Sequence, residues 1–267
     1  MKKLAIEGIG IFVLFFFTWF GLSEVDWMTI LKFEKISKVS EEKLGELFWE
    51  TFQHSDNEII DLEVSEPINS IISRICDANS FDKSELKVHV IQNKDINAFA
   101  LPDEHLVIYT GLITECENES ELAGVISHEI AHMKLNHVMK KLGKEVGLTA
   151  LISISSGNSG SEIAKQAAKI LSSTAYDRKL ERESDMAAAD YLVTAQIDPE
   201  AFAEFLFRLS KNEDKINSQF SWLSTHPDSK TRAEYLMDFR KNLNIEKVPI
   251  LSQNTWDSLK TAAIIEY

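Results

Sequence analysis

The ten residues 126-ISHEIAHMKL-135 decide how the rest of this chain is interpreted, because they contain the pattern His128-Glu129-x-x-His132. On an α-helix, residues four positions apart lie one above the other, so both imidazoles can reach one metal ion. Glu129 is turned by about 100° from His128, close enough to contact a water on that metal without being a ligand. The stretch therefore predicts a zinc site in which Glu129 acts on water.

The flanking residues argue against the alternative, a surface helix that carries two histidines and a solvated glutamate. Asn118 can cap the start of the helix, with Glu121 three positions further on. Apolar residues form a band around the histidines: Leu122, Val125, Ile126, Ile130 and Met133. A helix with such a band is predicted to be buried, and buried histidines need partners.

Length and composition limit the number of domains and the classes of partner that this chain can have. The 267 residues, 44% of them hydrophobic, are enough for one sizeable core or for one domain with an appendage. With 28 basic and 42 acidic residues, a net charge of −14, the chain shows no basic face and no nucleic-acid partner is expected. Cys76 and Cys116 do not make a disulfide scaffold; one bridge and two buried free thiols both remain open.

An apolar run at residues 4–22 follows two lysines near the N-terminus. It approaches the ~20 residues that a membrane-spanning helix needs. The lysines before it, and the acidic Glu24 and Asp26 after it, predict a cytoplasmic N-terminus with the catalytic domain outside the cytoplasm, on the periplasmic side in a Gram-negative cell. A cleaved signal peptide is the competing interpretation, but the run lacks a small-x-small cleavage site. Residues 1–25 are therefore predicted to be an uncleaved anchor in the lipid bilayer.

Helical periodicity divides the rest of the chain, residues 26–267, into a connecting segment and one domain. Residues 26–60 are predicted to form a connecting helical segment, and residues 61–267 one mostly helical α+β domain. The small-residue stretch at 155–161 is predicted to be a loop rather than a domain linker. One further helix is predicted over residues 162–194.

A small sheet or hairpin is expected beside the His128 helix. Apolar and polar residues alternate at 86–91, which predicts a half-buried strand. The turn signal Pro102-Asp103 separates 96–101 from 105–111, so these two stretches are predicted to pair as a hairpin.

A catalytic zinc takes three protein ligands and leaves one position for water, so a third ligand must come from elsewhere in the chain. Glu181 is the best candidate, in a separate helix, with Asp185 one turn on to accept a hydrogen bond from a ligand imidazole. Glu183 points to a different face of that helix and is the obvious rival. With two arginines beside them, these acidic residues also fit a solvated, salt-bridged helix, and spacing alone leaves the alternatives open.

Four motifs taken together resemble those of a known family. They are HEIAH at 128–132, ERESD at 181–185, NAFALP at 97–102, and THP at 225–227 with an arginine six residues after its histidine. The chain resembles the membrane-associated zinc metallopeptidases of the HtpX, BepA and CAAX-prenyl-protease type, metallopeptidase family forty-eight, which belongs to the gluzincins. The resemblance runs from about residue 60 to the end and implies a zincin-like metalloprotease fold.

The resemblance also implies roles for single residues. It makes Glu181 the third zinc ligand, followed by Asp185. It maps the family's His-Pro motif to His226, with Arg232 as the following basic residue. In the family these two groups meet the oxyanion or occupy the open zinc position in a resting state. One departure is Asp103-Glu104, where many relatives carry a Gly-rich turn, so the hairpin tip is not covered by the resemblance.

Together these features predict a membrane-anchored zinc metalloendopeptidase that hydrolyses misfolded or envelope proteins and holds one zinc ion per chain. Zinc lowers the pKa of its water toward ~7 and polarises the scissile carbonyl, while Glu129 takes the water proton and returns it to the leaving amine. The alternative is a zinc-stabilised, chaperone-like binding module with little proteolysis. Such a module has no need for a general base between two ligands.

The strand Asn97-Ala98-Phe99-Ala100 is predicted to be an edge on which a peptide substrate docks. An extended peptide added to such an edge gains main-chain hydrogen bonds regardless of its sequence. Ala98 and Ala100 would let its backbone approach, and Phe99 would anchor the strand in the core. The alternative is an ordinary buried hairpin strand. The same segment disfavours a small-molecule zinc hydrolase.

Overall fold

The computed structural model describes residues 38–53, 57–157, 161–211, 220–241 and 247–264, together with Phe12, Phe15, Phe16, Thr18, Leu243 and Ile245. The chain divides into two units, Met1–Ser37 and Lys38–Tyr267. The predicted anchor at 1–25 lies outside the described residues except for four helical positions. Within the described part of the chain, no helix combines the length and the apolar character needed to cross a membrane.

The second unit is mostly helical with one small sheet, so the predicted α+β class is confirmed. Its elements are α1 (Lys38–Gln53), α2 (Leu62–Asn79), β1 (Lys87–Ile91), β2 (Ala98–Leu101), β3 (His105–Tyr109), α3 (Thr110–Glu115), α4 (Glu119–Lys134), α5 (His137–Glu145), α6 (Leu148–Ser155), α7 (Ser161–Ser173), α8 (Arg178–Thr194), α9 (Glu200–Ser210), α10 (Ser221–Thr225), α11 (Ser229–Lys241) and α12 (Gln253–Ile264). A short 3₁₀ turn, Lys83–Glu85, precedes β1.

The three strands form one sheet in the order β1-β3-β2. β2 and β3 are the predicted hairpin, paired antiparallel, whereas β1 pairs parallel with β3. The hairpin reverses at Asp103 and Glu104, both in the left-handed region with φ of 60° and 58°. Aspartate adopts this conformation more readily than most residues, which is how the turn closes without glycine. β2 therefore lies at one edge of the three-stranded sheet.

Helix α1 falls within the predicted connecting segment 26–60 and packs into the same compact unit as the rest of the domain. Its Phe52 ring lies 5.0 Å from the ring of Phe99 on β2. Gly45 faces the hairpin turn so closely that a Cβ there would lie 2.6 Å from the carbonyl oxygen of Pro102. The helix therefore holds the hairpin from one side, through close contact as well as through its apolar face.

Helix α4 carries the His128-Glu129-x-x-His132 motif and lies at the centre of the domain, packed against β2, α2, α8 and α9. Asn118 caps it as predicted, because its side chain accepts the N–H groups of Ser120 and Glu121 at 3.1 Å each. Glu121 accepts the N–H of Glu117 at 2.8 Å. Gly124 lets α9 approach, since a Cβ at that position would lie 2.4 Å from Cβ of Phe202.

The single helix predicted over 162–194 is wrong, because two helices, α7 and α8, occupy this stretch. Long-range hydrogen bonds end the first helix. The Nζ of Lys141 donates to the carbonyl groups of Leu171 and Thr174, at 3.1 and 2.5 Å, and the N–H of Tyr176 donates to the carbonyl of Thr225 at 3.0 Å. Because these partners lie far away in sequence, helical periodicity gave no sign of the break.

The two cysteines are not joined. Cys76 and Cys116 are both free and both buried, which is the second of the two alternatives that the sequence left open. Burial raises the pKa of each thiol, so neither is an activated nucleophile.

Candidate metal centre

Helix α4 turns His128 and His132 toward one point in the interior. Both side chains are fully buried, and their Nε2 atoms lie 3.0 Å apart. Helix α8 brings the Glu181 carboxylate to the same point, with Oε1 3.3 Å from His132 Nε2 and Oε2 3.6 Å from His128 Nε2. The structure therefore places the three predicted ligands together.

His226 reaches this point from the C-terminal end of α10. Its Nδ1 lies 3.2 Å from His128 Nε2 and 3.0 Å from Glu181 Oε1. The Trp222 ring stacks on the imidazole, with centroids 4.5 Å apart and planes inclined by 25°. Each of the four residues of this metal cluster, His128, His132, Glu181 and His226, offers a ligand atom within 4.8 Å of the others. The cluster could hold a metal ion.

The donor atoms of the cluster fit zinc. Burial lowers the pKa of His128, and it lowers the pKa of His132 and of His226 to about 4, so the three imidazoles are neutral at pH 7. Neutral rings whose nitrogens converge on a carboxylate present lone pairs to one point. Imidazole nitrogens with one carboxylate oxygen form the ligand set of catalytic Zn²⁺ sites.

Glu129 lies beside the cluster and is separate from it. It is fully buried, and its Oε2 accepts the N–H of Ala100 at 3.1 Å. Its Oε1 lies 3.4 Å from His226 Nε2 and has no hydrogen-bond partner among the described residues. Burial raises the pKa of Glu129 well above its usual value, and the nearby charge of Glu181 raises it further. A carboxylate in this environment is suited to accept and return a proton.

Asp185 lies one turn beyond Glu181 and approaches His128 from behind, with Oδ1 2.9 Å from Nδ1. Arg232 pairs with both carboxylates: Nε and Nη2 donate to Asp185 at 2.8 and 2.7 Å, and Nη1 lies 2.6 Å from Glu181 Oε2. The hydroxyl of Tyr235 also donates to Asp185. Burial alone would raise the pKa of each carboxyl, but Arg232 and the histidines hold both below their usual values.

Glu183, the rival third ligand, points elsewhere. Its side chain is 43% exposed and contacts His137 rather than the metal cluster, with Oε2 3.2 Å from His137 Nε2. His137 in turn lies against His132, with their Nδ1 atoms 3.2 Å apart. The packing of α8 on α4 therefore separates the two glutamates that spacing alone could not distinguish.

Three residues that line the cluster were missed by the sequence reasoning: Tyr176, Trp222 and His137. The Tyr176 ring stacks on His132 with centroids 3.9 Å apart. Trp222 lies four residues before His226, and His137 five residues after His132, so proximity to a motif was the available signal for both. Tyr176 precedes α8 outside any motif, and its position follows only from the long-range bond to Thr225.

The predicted substrate strand lies directly beside Glu129, and Asn97 and the whole of β2 are buried. The N–H of Tyr109 donates to the carbonyl of Asn97 at 3.0 Å, so by the alternation of an antiparallel pair Phe99 also faces β3. The main-chain groups of Ala98 and Ala100 then point away from β3. The N–H of Ala100 meets Glu129, as this alternation requires.

Residues 63–239 match Peptidase family M48. The chain belongs to this family. The metallopeptidase class predicted from the four motifs is thereby confirmed, because the match contains every one of them.

The chain is also similar to individual curated members. It is 28% identical over 255 residues to the mitochondrial metalloendopeptidase OMA1 of Bos taurus, covering 87% of this chain and 48% of that protein. It is 23% identical over 199 residues to OMA1 of Schizosaccharomyces pombe, covering 73% and 58%. With the beta-barrel assembly-enhancing protease of Yersinia pestis it shares 26% over 218 residues, covering 75% and 43%. The chain thus spans about half the length of these relatives.

Proposed function

We propose that this chain is a zinc metalloendopeptidase that holds one Zn²⁺ per chain on His128, His132 and Glu181. The convergence of two neutral imidazoles and a carboxylate with a lowered pKa supports this ligand set. Zinc in such a site makes water a nucleophile at neutral pH and polarises the scissile carbonyl.

The position of Glu129 carries the proposal. It lies between the two ligand histidines on α4, is fully buried, and keeps Oε1 without a hydrogen-bond partner in the described part of the chain. The main-chain N–H of Ala100 fixes the other oxygen, so the free oxygen has a defined direction. As general base, Glu129 takes a proton from water and returns it to the leaving amine. A chaperone-like binding module, the alternative, has no use for this group.

His226 and Arg232 take different parts in this proposal. The imidazole of His226 lies between the three proposed ligands and Glu129, where it can occupy the open position of the site in a resting state or meet the oxyanion of a bound substrate. Arg232 is buried behind Glu181 and Asp185, with its guanidinium engaged by both carboxylates and by the carbonyl of His226. Arg232 therefore acts by holding Asp185 and Glu181 in place.

Zinc analysis of two matched variants tests the ligand assignment. We expect about one zinc per wild-type chain, loss of that zinc in Glu181→Ala, and retention in Glu183→Ala, since only the first carboxylate faces His128 and His132. Elemental analysis of purified protein gives the stoichiometry, and circular dichroism controls for folding. The assignment is wrong if a folded Glu181→Ala variant keeps its zinc, or if Glu183→Ala loses it.

We further propose that the substrate is an unfolded protein segment that docks along Asn97-Ala98-Phe99-Ala100. The direction of the Ala98 and Ala100 main-chain groups, away from β3, supports this edge. Ala98→Pro removes one outward donor, whereas Ala98→Gly keeps it. We expect the proline variant to bind zinc normally and to cleave an unfolded protein about 3- to 10-fold more slowly, the cost of one hydrogen bond. Equal rates in the two folded variants would contradict the docking role.

Membrane anchoring through residues 1–25, with the catalytic domain outside the cytoplasm, is also part of the proposal. Its support is the apolar run at 4–22 with lysines on one side and acids on the other. The names of the relatives, a metalloendopeptidase and a protease, support proteins as the substrate class. Protease accessibility in spheroplasts tests the topology: a domain that is cut only in inverted vesicles would reverse it.

A further inference from the structure

A tight turn at the end of α4 brings a fourth histidine against the metal cluster. Asn136 takes the left-handed conformation with φ of 59°, and its carbonyl accepts the N–H of Lys140 as α5 begins. The reversal directs the next residue, His137, back against α4. His137 is fully buried, and its ring centroid lies 5.2 Å from that of His132.

His137 contacts polar atoms at both ring nitrogens. Its Nε2 lies 3.2 Å from Glu183 Oε2. Its Nδ1 lies 3.2 Å from His132 Nδ1 and 3.0 Å from Ser184 Oγ. His132 Nε2 points the opposite way, toward Glu181 in the metal cluster. Glu183, His137 and His132 therefore form a continuous line from the half-exposed carboxylate to the interior of the site.

One placement of protons satisfies the whole line. An ionised carboxylate only accepts hydrogen bonds, so His137 carries its proton on Nε2 and donates to Glu183. A neutral His137 then has a lone pair on Nδ1. His132 must present the lone pair of Nε2 to a metal, so its proton is on Nδ1, where it donates to His137. A proton on both nitrogens of His137 would instead set two N–H groups against each other.

We propose that His137, held by Glu183, is the positioning residue of His132: it accepts the Nδ1–H of His132 and so fixes the ring orientation and the tautomer needed for zinc. This inference rests on the proposed zinc site and deepens it. Metal-bound histidines commonly donate their second N–H to such a partner, and losing the partner costs about 10- to 100-fold in metal affinity.

Helix α8 thus orients both ligand histidines, His128 by a direct contact and His132 through His137. Asp185 on α8 reaches His128 directly, at 2.9 Å. Glu183 lies two residues before Asp185, so it points to another face of α8 and is 43% exposed at the surface. His137 fills the gap between this carboxylate and His132. The acidic motif on α8 therefore serves both ligand histidines as well as supplying Glu181.

Substitutions at His137 separate hydrogen bonding from packing. His137→Phe keeps an aromatic ring and removes the acceptor, whereas the side-chain oxygen of His137→Asn can replace Nδ1. We expect zinc affinity, measured by competition with a chromophoric chelator, to fall about 10- to 100-fold in His137→Phe and to return to near the wild-type value in His137→Asn. The visible absorption of the Co²⁺-substituted protein should shift in the Phe variant alone.

Glu183→Ala tests the outer end of the line without touching a buried ring. Because Glu183 is half-exposed, this variant is expected to fold, and its zinc affinity should fall by about tenfold, the lower end of such effects. Matched controls are His89→Asn and Glu58→Gln, which change a similar contact in the sheet, where His89 Nδ1 lies 2.8 Å from Glu58 Oε1. Both controls should bind zinc as the wild type does.

Three results would overturn the proposal. They are wild-type zinc affinity in a folded His137→Phe, equal weakening in the Phe and Asn variants, and wild-type affinity in Glu183→Ala. If His137→Phe does not fold, the Glu183→Ala measurement decides. None of these results touches the ligand assignment, which fails if zinc survives in a folded Glu181→Ala or if Glu183→Ala is isolated without zinc. A tenfold weaker affinity in Glu183→Ala still leaves about one zinc per chain. The two proposals can therefore fail separately.

Discussion

Among the described residues, two clusters of histidines and carboxylates can be compared, and their atoms are arranged in different ways. The metal cluster consists of His128, His132, Glu181 and His226. The sheet cluster, named here for its position beside the sheet, consists of His89 on β1, His105 on β3, Asp103 in the hairpin turn and Glu46 on α1. In both, residues distant in sequence bring acidic groups and imidazoles within a few ångströms of each other.

In the sheet cluster, a lysine already neutralises the carboxylates. Lys87 Nζ lies 2.8 Å from Glu46 and 2.6 Å from Asp103, between the two acids. The histidines pair with each other in a line, His89 Nε2 to His105 Nδ1 at 3.0 Å. Any metal ion here would first have to displace the ammonium group.

In the metal cluster, the permanent positive charge is that of Arg232, which lies behind Glu181 and Asp185. Arg232 binds Glu181 Oε2 and Asp185, while Glu181 Oε1 stays turned toward His132 at 3.3 Å. The nitrogens of His128 and His132 converge instead of forming a line. Similar residue types thus give a cluster that could hold a metal ion or an ion-pair network, according to where the permanent positive charge lies.

The largest difference between the two clusters should appear in catalysis. Glu129→Gln removes the proposed general base beside the metal cluster and should lower proteolysis by about 10²- to 10⁴-fold while zinc is retained. Glu58→Gln, which alters the carboxylate that His89 contacts in the sheet, should leave the rate unchanged. Cleavage of an unfolded protein such as casein gives the comparison. Near-wild-type activity in a zinc-loaded Glu129→Gln variant would show that Glu129 is not the base, and absent activity in the wild type would favour the binding module.

Removal of the two cations should affect stability unequally. Arg232→Met leaves the buried charges of Glu181 and Asp185 without the cation that neutralises them, which should lower the free energy of unfolding of the zinc-free protein by about 3–5 kcal/mol. Lys87→Met breaks ion pairs that are solvent-accessible, since the Lys87 and Glu46 side chains are 37% and 61% exposed, and should cost about 0–1 kcal/mol.

Urea unfolding monitored by circular dichroism measures both values. Zinc is removed beforehand, because bound zinc would neutralise Glu181 in the Arg232 variant and mask the loss. Comparable losses in the two variants would mean that the arginine is less isolated from solvent than its burial indicates.

The central part of the metal cluster was predictable because it is local. The spacing of His128 and His132 on one helix, the Asn118 cap and the hairpin around Pro102 depend on residues a few positions apart. The choice between Glu181 and Glu183 was open, since either face of α8 could have turned inward. It was settled in the sequence by resemblance alone, and the packing of α8 on α4 now supplies a physical reason.

The parts that sequence could not predict depend on contacts between distant residues. The break between α7 and α8 is made by Lys141 and by the carbonyl of Thr225, and neither is near the break in the chain. Tyr176 reaches His132 through that same break. The sheet cluster could not be predicted from the sequence either. Alternation placed His89 on the polar face of its strand, whereas in the structure its ring stacks on Trp49 with centroids 3.5 Å apart.

The last expected effect concerns pH and separates the clusters through His105. Burial, together with the charges of Lys87 and His89, lowers the pKa of His105 to about 4. In the unfolded chain the pKa of a histidine is about 6.5, so between these values the unfolded state binds a proton that the folded state excludes. Stability therefore falls as pH decreases from about 6.5 to about 4, by at most about 1.4 kcal/mol per pH unit from this one group, and is unaffected above that window.

Replacement of His105 by Asn should remove this contribution, so the free energy of unfolding of His105→Asn should depend less steeply on pH than that of the wild type between pH 6.5 and 4. The flattening should be the same with and without zinc, because the sheet cluster already holds the ammonium group of Lys87. The metal cluster should behave in the opposite way: protons compete with zinc for His128 and His132, so zinc makes stability fall more steeply in acid. Urea titrations of the wild type and of His105→Asn at several pH values, each with zinc and with a chelator, give the four slopes of unfolding free energy against pH. A flattening that appears only with zinc would mean that His105 binds the metal, and the distinction between the two clusters would then be wrong.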